Sequence, residues 1–504
     1  MSGVLTEFKY ATKNYLSGLD IGSLRSYGRN VGVFNPTTKK KAELIEDIVS
    51  ILAGEMSPVP RSNLGAPVKS AYVDPNIEEE IAKLQMAYLS QVETTENNDY
   101  DPSLDFVAKM KEFQARPKNE LRLEDPNAAE IEAYQKNRVL RRGQLETLNG
   151  VSVLLPLNCR NDGEKIIVSV ALIKKHDLRE GDIISCYAIK HNASWIATEV
   201  LAINDLIHDS ISRFRFDEEE ACYSSRRLRM YEKGHFTSTS VKYLDWLIPL
   251  AFGQRGCVFA APKAGKTSLL LNIAQSAAPL NEGLKTLALL IDQPPETVSQ
   301  FRAITESENL VYTTYDDEPE RQIFAAEFIL KRAKRLTECG YHVLLIVDSL
   351  TALAKAYNET DASSGGKVLV GGLESKTLQY IKKYFGTARC FGRKGSLTMI
   401  GSVDTETGNP VDDIISAELA KLSNVDLCLN AEAAAKRIYP AFNLSATTVK
   451  QADQLQSEEE IELDFVVRNN FLPKYGLQEL NQALSQAIDF GGFKKQIFSS
   501  ISKK

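Results

Sequence analysis

The stretch "GCVFAAPKAGKTSLLLNIA", residues 256–274, constrains this chain more than any other. An apolar β-type segment leads through a loop into an amphipathic helical pattern. Gly265, Lys266 and Thr267 end the loop as the second half of the pattern G-x-x-x-x-G-K-[ST] requires. Backbone N–H groups at the start of such a helix bind phosphate oxygens, helped by the helix dipole. Pro262, Lys263, Ala264, Gly265, Lys266, Thr267 and Ser268 are therefore expected to cradle a nucleotide. Lys266 would face the β- and γ-phosphates, and the Thr267 hydroxyl would hold Mg²⁺. Ala260 stands where the pattern has its first glycine, which should remove only some loop freedom.

A partner for that loop lies further along. "HVLLIVDSL", residues 342–350, reads as an apolar strand ending in Asp348, whose carboxylate can anchor the Mg²⁺ shell beside the phosphates. ATP and Mg²⁺ are the expected cofactors, on a P-loop core. From 240 onward "GCVFAA", "TLALLID", "HVLLIVD", "SLTMIGSV" and "VDLCLN" alternate with helical patterns. Strands that are apolar throughout and spaced by helices predict an α/β fold, a parallel sheet covered on both faces.

Upstream the character changes. Residues 143–205 carry short β-rich runs, "VSVLLPL", "KIIVSVAL", "DIISCYAI" and "WIATEVLAI", separated by turn signals. They predict a small β-barrel of the OB type. Residues 76–142 are polar and charged, and the basic run "NRVLRRG" at their end reads as a solvated helix end. A Pro-, Ser- and Gly-rich linker precedes them. Residues 19–55 hold two short helical patterns around a glycine-rich turn. Such a module suits either a nucleic-acid-binding lead domain or a plain helical cap.

Bulk properties exclude several classes. No apolar run approaches the roughly 18 residues a membrane span needs, and no membrane partner is expected. The seven cysteines are scattered and never spaced as CxxC, which fits a reducing cytoplasm and argues against disulfides and structural zinc. The net charge of −6 does not advertise nucleic-acid binding, although a local basic strip would suffice for it.

The phosphate loop with its Pro-Lys-Ala run resembles that of the transcription termination factor Rho family. Further blocks agree in order: "SSRRLRM" (224–230), "LLIDQPPETV" (289–298), "DSLTALAKAYN" (348–358), "GGKVLVGGLES" (365–375), "YFGTAR" (384–389), "GSLTMIGS" (395–402) and "AAKRIYPAFN" (434–443). "VSVALIKKHDLREGDIIS" (168–185) matches the barrel segment of that family. The resemblance covers roughly 145–450 and implies a RecA-like P-loop ATPase core, preceded by the barrel and the helical module. It implies a homohexameric ring, ATP at subunit interfaces, and single-stranded RNA moved through a central pore. The implied domains are a helical module (1–56), a linker and charged insertion (57–142), an RNA-binding barrel (143–206), a connector (207–239) and the ATPase domain (240–504). Arg437, in "KRIYP", falls where the resemblance places the arginine finger, with a surface salt bridge as its plainer role. Lys367, Val368, Gly371 and Gly372 match the pore loop that grips RNA backbone.

The departures bear on mechanism. Gln293 stands where the family has its catalytic glutamate; glutamine orients water but cannot take its proton, a role typically worth about 10²–10⁴ in rate. Glu296 or Asp292 would be the substitutes, Glu296 first. Pro294 and Ala352 replace two arginines, and Pro410 replaces an RNA-contacting lysine of the second pore loop. The aromatic platform of the barrel is lost to Val151 and Val153, leaving Trp195 either to stack on a base or to fill the barrel core. Stacking of that kind is worth about 1–3 kcal/mol per base. The expected function is an RNA-dependent ATPase and translocase in transcription termination, slowed at hydrolysis and meeting RNA polymerase or transcription complexes. The alternatives are an ATP-binding, hydrolysis-poor ring or adaptor that co-assembles with an active relative, and another hexameric motor.

Overall fold

Asp20 stops the chain ahead of α1 (Ile21–Val31) by accepting hydrogen bonds from the Gly22 and Ser23 backbone N–H groups. Gly32, in the left-handed region at φ 100°, ends the helix, and α2 (Lys41–Leu52) follows a short turn. Leu24 and Tyr27 on one helix and Leu44, Ile45, Ile48 and Val49 on the other form a small separate core. This computed structural model describes residues 9, 12–52, 77, 138–160, 165–191, 194–207, 213–361 and 372–502. They fall in two compact units, Met1–Asp125 and Pro126–Lys504. The insertion expected at 57–142 lies outside the described residues apart from Ile77 and 138–142.

The second unit begins with β1 (Val139–Leu148), β2 (Val151–Leu155), β3 (Ile166–Ile167), α3 (Val170–Lys175), β4 (Ile183–His191), β5 (Ser194–Ile203) and β6 (Leu206–Ile207). Antiparallel pairings join β1 to β2 and β4, β2 to β3, and β4 to β5, while β3 pairs parallel with β5. The circuit β1–β2–β3–β5–β4–β1 therefore closes into a five-stranded barrel.

Two local expectations are corrected here. The basic run before residue 143 is the first half of β1, not a helix end. Its charges have partners across the sheet: the Arg138 guanidinium lies 4.0 Å from the Tyr187 ring centroid, and Arg142 pairs with Asp205 and Glu308 at 2.6 Å each. The apolar run "KIIVSVAL" is strand only at Ile166–Ile167. Ser169 then caps α3 by accepting from the Leu172 N–H, a local signal that overrides β propensity.

The larger sheet holds β7 (Arg255–Ala260), β8 (Leu284–Leu290), β9 (Leu310–Tyr312), β10 (His342–Asp348), β11 (Arg389–Cys390), β12 (Ser396–Asp404), β13 (Val425–Cys428) and β14 (Thr448–Val449). The order β13-β7-β12-β10-β8-β9 is parallel throughout; β14 and β11 join antiparallel. The helices before and between these strands are α4 (Thr239–Trp246), α5 (Lys266–Leu280), α6 (Pro295–Arg302), α7 (Pro319–Glu338), α8 (Leu350–Asp361), α9 (Ser375–Phe385), α10 (Pro410–Leu422) and α11 (Ala431–Ala435). Leu344 and Ile346 pack into one core and Leu345 and Val347 into another, so β10 is buried on both faces. That explains its unbroken apolar sequence. Four further helices, from Glu458 to Ser502, pack against the first of these cores. Among the described residues no helix is long and apolar enough to cross a membrane.

The barrel is fastened to α7. Arg332, fully buried, donates to the Gln144 side chain of β1 at 2.8 Å and to the Glu308 and Leu157 carbonyls at 2.5 Å each. Gln144 donates in turn to the Phe328 carbonyl at 2.7 Å, and Lys331 bonds Glu146 at 2.7 Å. Gly181 (φ 92°) packs so closely on Lys331 that a Cβ there would lie 2.6 Å from its backbone.

Candidate nucleotide-binding site

Parallel strands in an open sheet deliver their C-terminal ends, and the loops that follow, to one edge. Here that edge gathers the phosphate loop after β7, Asp404 at the end of β12 and Asp348 at the end of β10, with β12 between the other two strands. Ala260 is the last residue of β7 and is buried, so its methyl group belongs to the core. No glycine is needed there. The left-handed turns of the loop fall at Lys263 (φ 66°) and Gly265 (φ 102°), and Gly265 serves as the N-cap of α5. Pro262, Lys263 and Ser268 are exposed along this loop, while Ala264 is buried beneath it.

The side chains expected to meet ATP stand together. The Thr267 hydroxyl donates to Asp348 Oδ2 at 2.7 Å, and Ser402 donates to Oδ1 at 2.5 Å. Asp348 is only 2% exposed, and burial pushes its carboxyl above the usual range, against the pull of those hydroxyls and of Lys266. Lys266 Nζ bonds the Ala260 and Ala261 carbonyls at 2.9 and 3.2 Å and pairs with Asp404 Oδ1 at 2.7 Å. A γ-phosphate entering the loop would compete with Asp404 for that ammonium. Asp404 and Ser402 were missed in the sequence. The signal was present, since "SLTMIGSVD" ends in aspartate as "HVLLIVD" does.

This donor set fits Mg²⁺. The ion prefers hard oxygen ligands, retains several waters and is usually held by one or two carboxylates together with substrate phosphates. Thr267 and Asp348 offer a hydroxyl and a carboxylate side by side. Among the described residues no group of three or more His, Cys, Asp or Glu forms an all-protein metal cage.

Two cavities flank the loop. One, of about 520 Å³, is lined by Asp292, Gln293, Ser349, Ala352, Lys355 and Asp404, together with the acidic turn 316–318. Gln293 is half-buried, its amide donating to the Ile291 carbonyl at 3.3 Å and its backbone N–H to the Thr313 carbonyl at 3.2 Å. Asp292 lines the same cavity, and burial raises its carboxyl. Glu296, expected as first substitute for the lost glutamate, is exposed on the first turn of α6 and does not line the cavity. Asp292, equally exposed, differs from it in lining the cavity beside Gln293.

The other cavity, of about 440 Å³, lies between the loop and the chain after β13; Lys263, Gly265, Asn272, Tyr439 and Phe442 line it. A Cβ built on Gly265 would come within 3.7 Å of the Tyr439 ring. Arg437, two residues before Tyr439, is exposed at φ 59° just after α11.

Of the residues expected to touch RNA, the structure describes Gly372 and Trp195. Lys367, Val368 and Gly371 lie outside the described residues; Gly372 is exposed, its carbonyl accepting from Asn358 at 3.3 Å. Trp195 is 8% exposed within the barrel core, and the Arg141 guanidinium lies over its ring at 4.4 Å. That burial favours the core reading of Trp195 over the stacking one. Val153 is likewise buried, whereas Val151 is 46% exposed.

The fold and this constellation define a P-loop ATPase. Residues 240–448 match the ATP synthase alpha/beta family, nucleotide-binding domain. The chain is similar to transcription termination factor Rho of Salmonella typhimurium, of Escherichia coli (strain K12) and of Buchnera aphidicola subsp. Baizongia pistaciae. Each is 34% identical over 318 residues, spanning 62% of this chain and 75% of the relative. The chain belongs to the transcription termination factor Rho family.

Proposed function

We propose that this protein is an ATP-driven RNA translocase acting in transcription termination, whose hydrolytic step is slowed by Gln293. The observation that carries the reading is the convergence of Lys266, Thr267, Asp348 and Asp404 at one sheet edge, in a chain of the Rho family. Lys266 holds the β- and γ-phosphates. Thr267 and Asp348 hold Mg²⁺, which when bound screens phosphate charge and orients the γ-phosphoryl group. Gln293 orients the attacking water, and Asp292, beside it in the same cavity, receives its proton. Arg437 supplies a further cation at the phosphates, either of its own nucleotide or, in a ring, of a neighbour's. The subunits form a homohexamer in the cytoplasm and engage single-stranded RNA through 367–372, with RNA polymerase or a transcription complex as the eventual target. The domain limits proposed are 1–56, 57–142, 143–206, 207–239 and 240–504, with the barrel, of OB type, beginning at β1.

Gln293 also favours a second reading, an ATP-holding ring or adaptor that hydrolyses poorly and co-assembles with an active relative. ATP turnover by the purified protein, with and without poly-pyrimidine RNA and alongside its mass in solution, separates the two. RNA-stimulated turnover in a ring-sized particle supports the translocase. Tight ATP binding with negligible turnover, unmoved by RNA, supports the adaptor.

A further inference from the structure

Away from the nucleotide cleft, the connector that follows the barrel runs antiparallel beside β11. Cys222 and Cys390 face each other there as a bridge pair, the Cys222 N–H donating to the Cys390 carbonyl at 2.9 Å. Directly opposed residues in antiparallel strands have Cα atoms roughly 4.5–5.5 Å apart, inside the roughly 4.4–6.8 Å that a disulfide spans. Their Cβ atoms, roughly 4.5–5.5 Å apart in such a pair, need to close by about 0.7–1.7 Å to reach the mean disulfide spacing of about 3.8 Å.

The surroundings differ between the two thiols. Of the seven cysteines Cys222 alone is exposed. It lines a cavity of about 210 Å³ with Arg255, Arg389 and Lys450. Reactive cysteines characteristically occupy electropositive, part-exposed positions of this kind. Cys390 is buried, and burial pushes its thiol above the ordinary range. An oxidant from solution therefore meets Cys222 first, and Cys390 waits beside it.

We propose that Cys222 and Cys390 form a redox-active dithiol that closes to a disulfide when the protein meets a hydroperoxide. The Cys222 thiolate attacks the peroxide oxygen; the O–O bond breaks, and a sulfenic acid and one water result. The Cys390 sulfur then attacks the sulfenic sulfur, the S–O bond breaks, and the departing hydroxide takes the Cys390 proton as a second water. Two thiols and one hydrogen peroxide give one disulfide and two waters. The new bond ties the connector to the ATPase sheet at β11.

The test uses the full chain, purified reduced, freed of reductant and treated with hydrogen peroxide. Intact mass under denaturing, non-reducing conditions should fall by two hydrogens, with peptide mapping placing the link between residues 222 and 390. Dithiothreitol should reverse it. Cys222→Ser, at an exposed position, should stay folded and lose the cross-link entirely. Oxidation of Cys222 to sulfinic or sulfonic acid while Cys390 remains alkylatable would overturn the proposal, as would a Cys222 cross-link between chains.

Discussion

Thr267 and Asp348 lie 81 residues apart in the chain, yet the hydroxyl of one donates to the carboxylate of the other at 2.7 Å. The pair exists because β12 places β7 and β10 two strands apart with their C-terminal ends on a common edge. That placement sets a hydroxyl and a carboxylate side by side next to the phosphate loop.

Lys266→Ala should abolish detectable ATP binding while leaving the fold intact, because it removes the point charge aimed into the loop. Asp404 then loses its partner at 2.7 Å but remains part-exposed to water. Calorimetric titration with Mg²⁺-ATP checks the affinity, and circular dichroism the fold. Unchanged affinity in a folded variant would refute the assignment.

Gln293→Glu should raise turnover by at least about tenfold, within the usual worth of a general base. Asp292→Asn should lower the residual wild-type rate if that carboxylate receives the proton. Brisk wild-type hydrolysis that Gln293→Glu leaves unchanged would move the base role to another residue.

Arg437→Ala mixed with Lys266→Ala separates service to a subunit's own nucleotide from service to a neighbour's. Restored turnover in the mixture places Arg437 across an interface. Absence of restoration, with weakened ATP binding in the single variant, assigns it to its own cleft.

Asp348 should make Mg²⁺-ATP binding pH-sensitive. Its folded carboxyl titrates above the ordinary 3.8, so the folded chain keeps this proton where the unfolded chain has released it. Its contribution to stability therefore declines as pH rises from 3.8 through the folded value. Metal binding, which needs the carboxylate, declines as pH falls through that same folded value. Asp348→Asn should weaken Mg²⁺-ATP and flatten the profile. An affinity independent of pH throughout the acid range in which the protein stays folded would contradict this.

Arg332→Leu should destabilise the second unit by about 3–5 kcal/mol, because it strips a buried cation from acceptors closed to water. Burial pulls this guanidinium down to about 10, a measure of how dry the junction is. Urea unfolding followed by barrel and ATPase probes should show both losing stability together. Loss confined to the barrel would show the contacts to be dispensable.

Much of this molecule was legible in the sequence. Apolar runs buried on both faces announced the parallel strands, and the loop before Lys266 announced the phosphate site, since both signals are local. What stayed hidden depends on distant pairing. The charges at 138–142 look helical and solvated until Tyr187, Asp205 and Glu308 face them across the sheet. Trp195 reads equally as a stacking platform or as barrel core until the barrel closes around it, and Asp404 acquires meaning only from Lys266. Glu296, near Gln293 in the chain, faces away because Pro294 and Pro295 start a helix between them.

The Arg332–Gln144 junction has a mechanical corollary. With β1 clamped to the backbone of α7, the barrel is held to the nucleotide sheet's flanking helix by buried hydrogen bonds. While those bonds hold, a strand of nucleic acid gripped by the barrel would stay anchored at one offset from the cleft. Slack for each advance would have to come from the strand itself, paid out as a growing loop between anchor and motor.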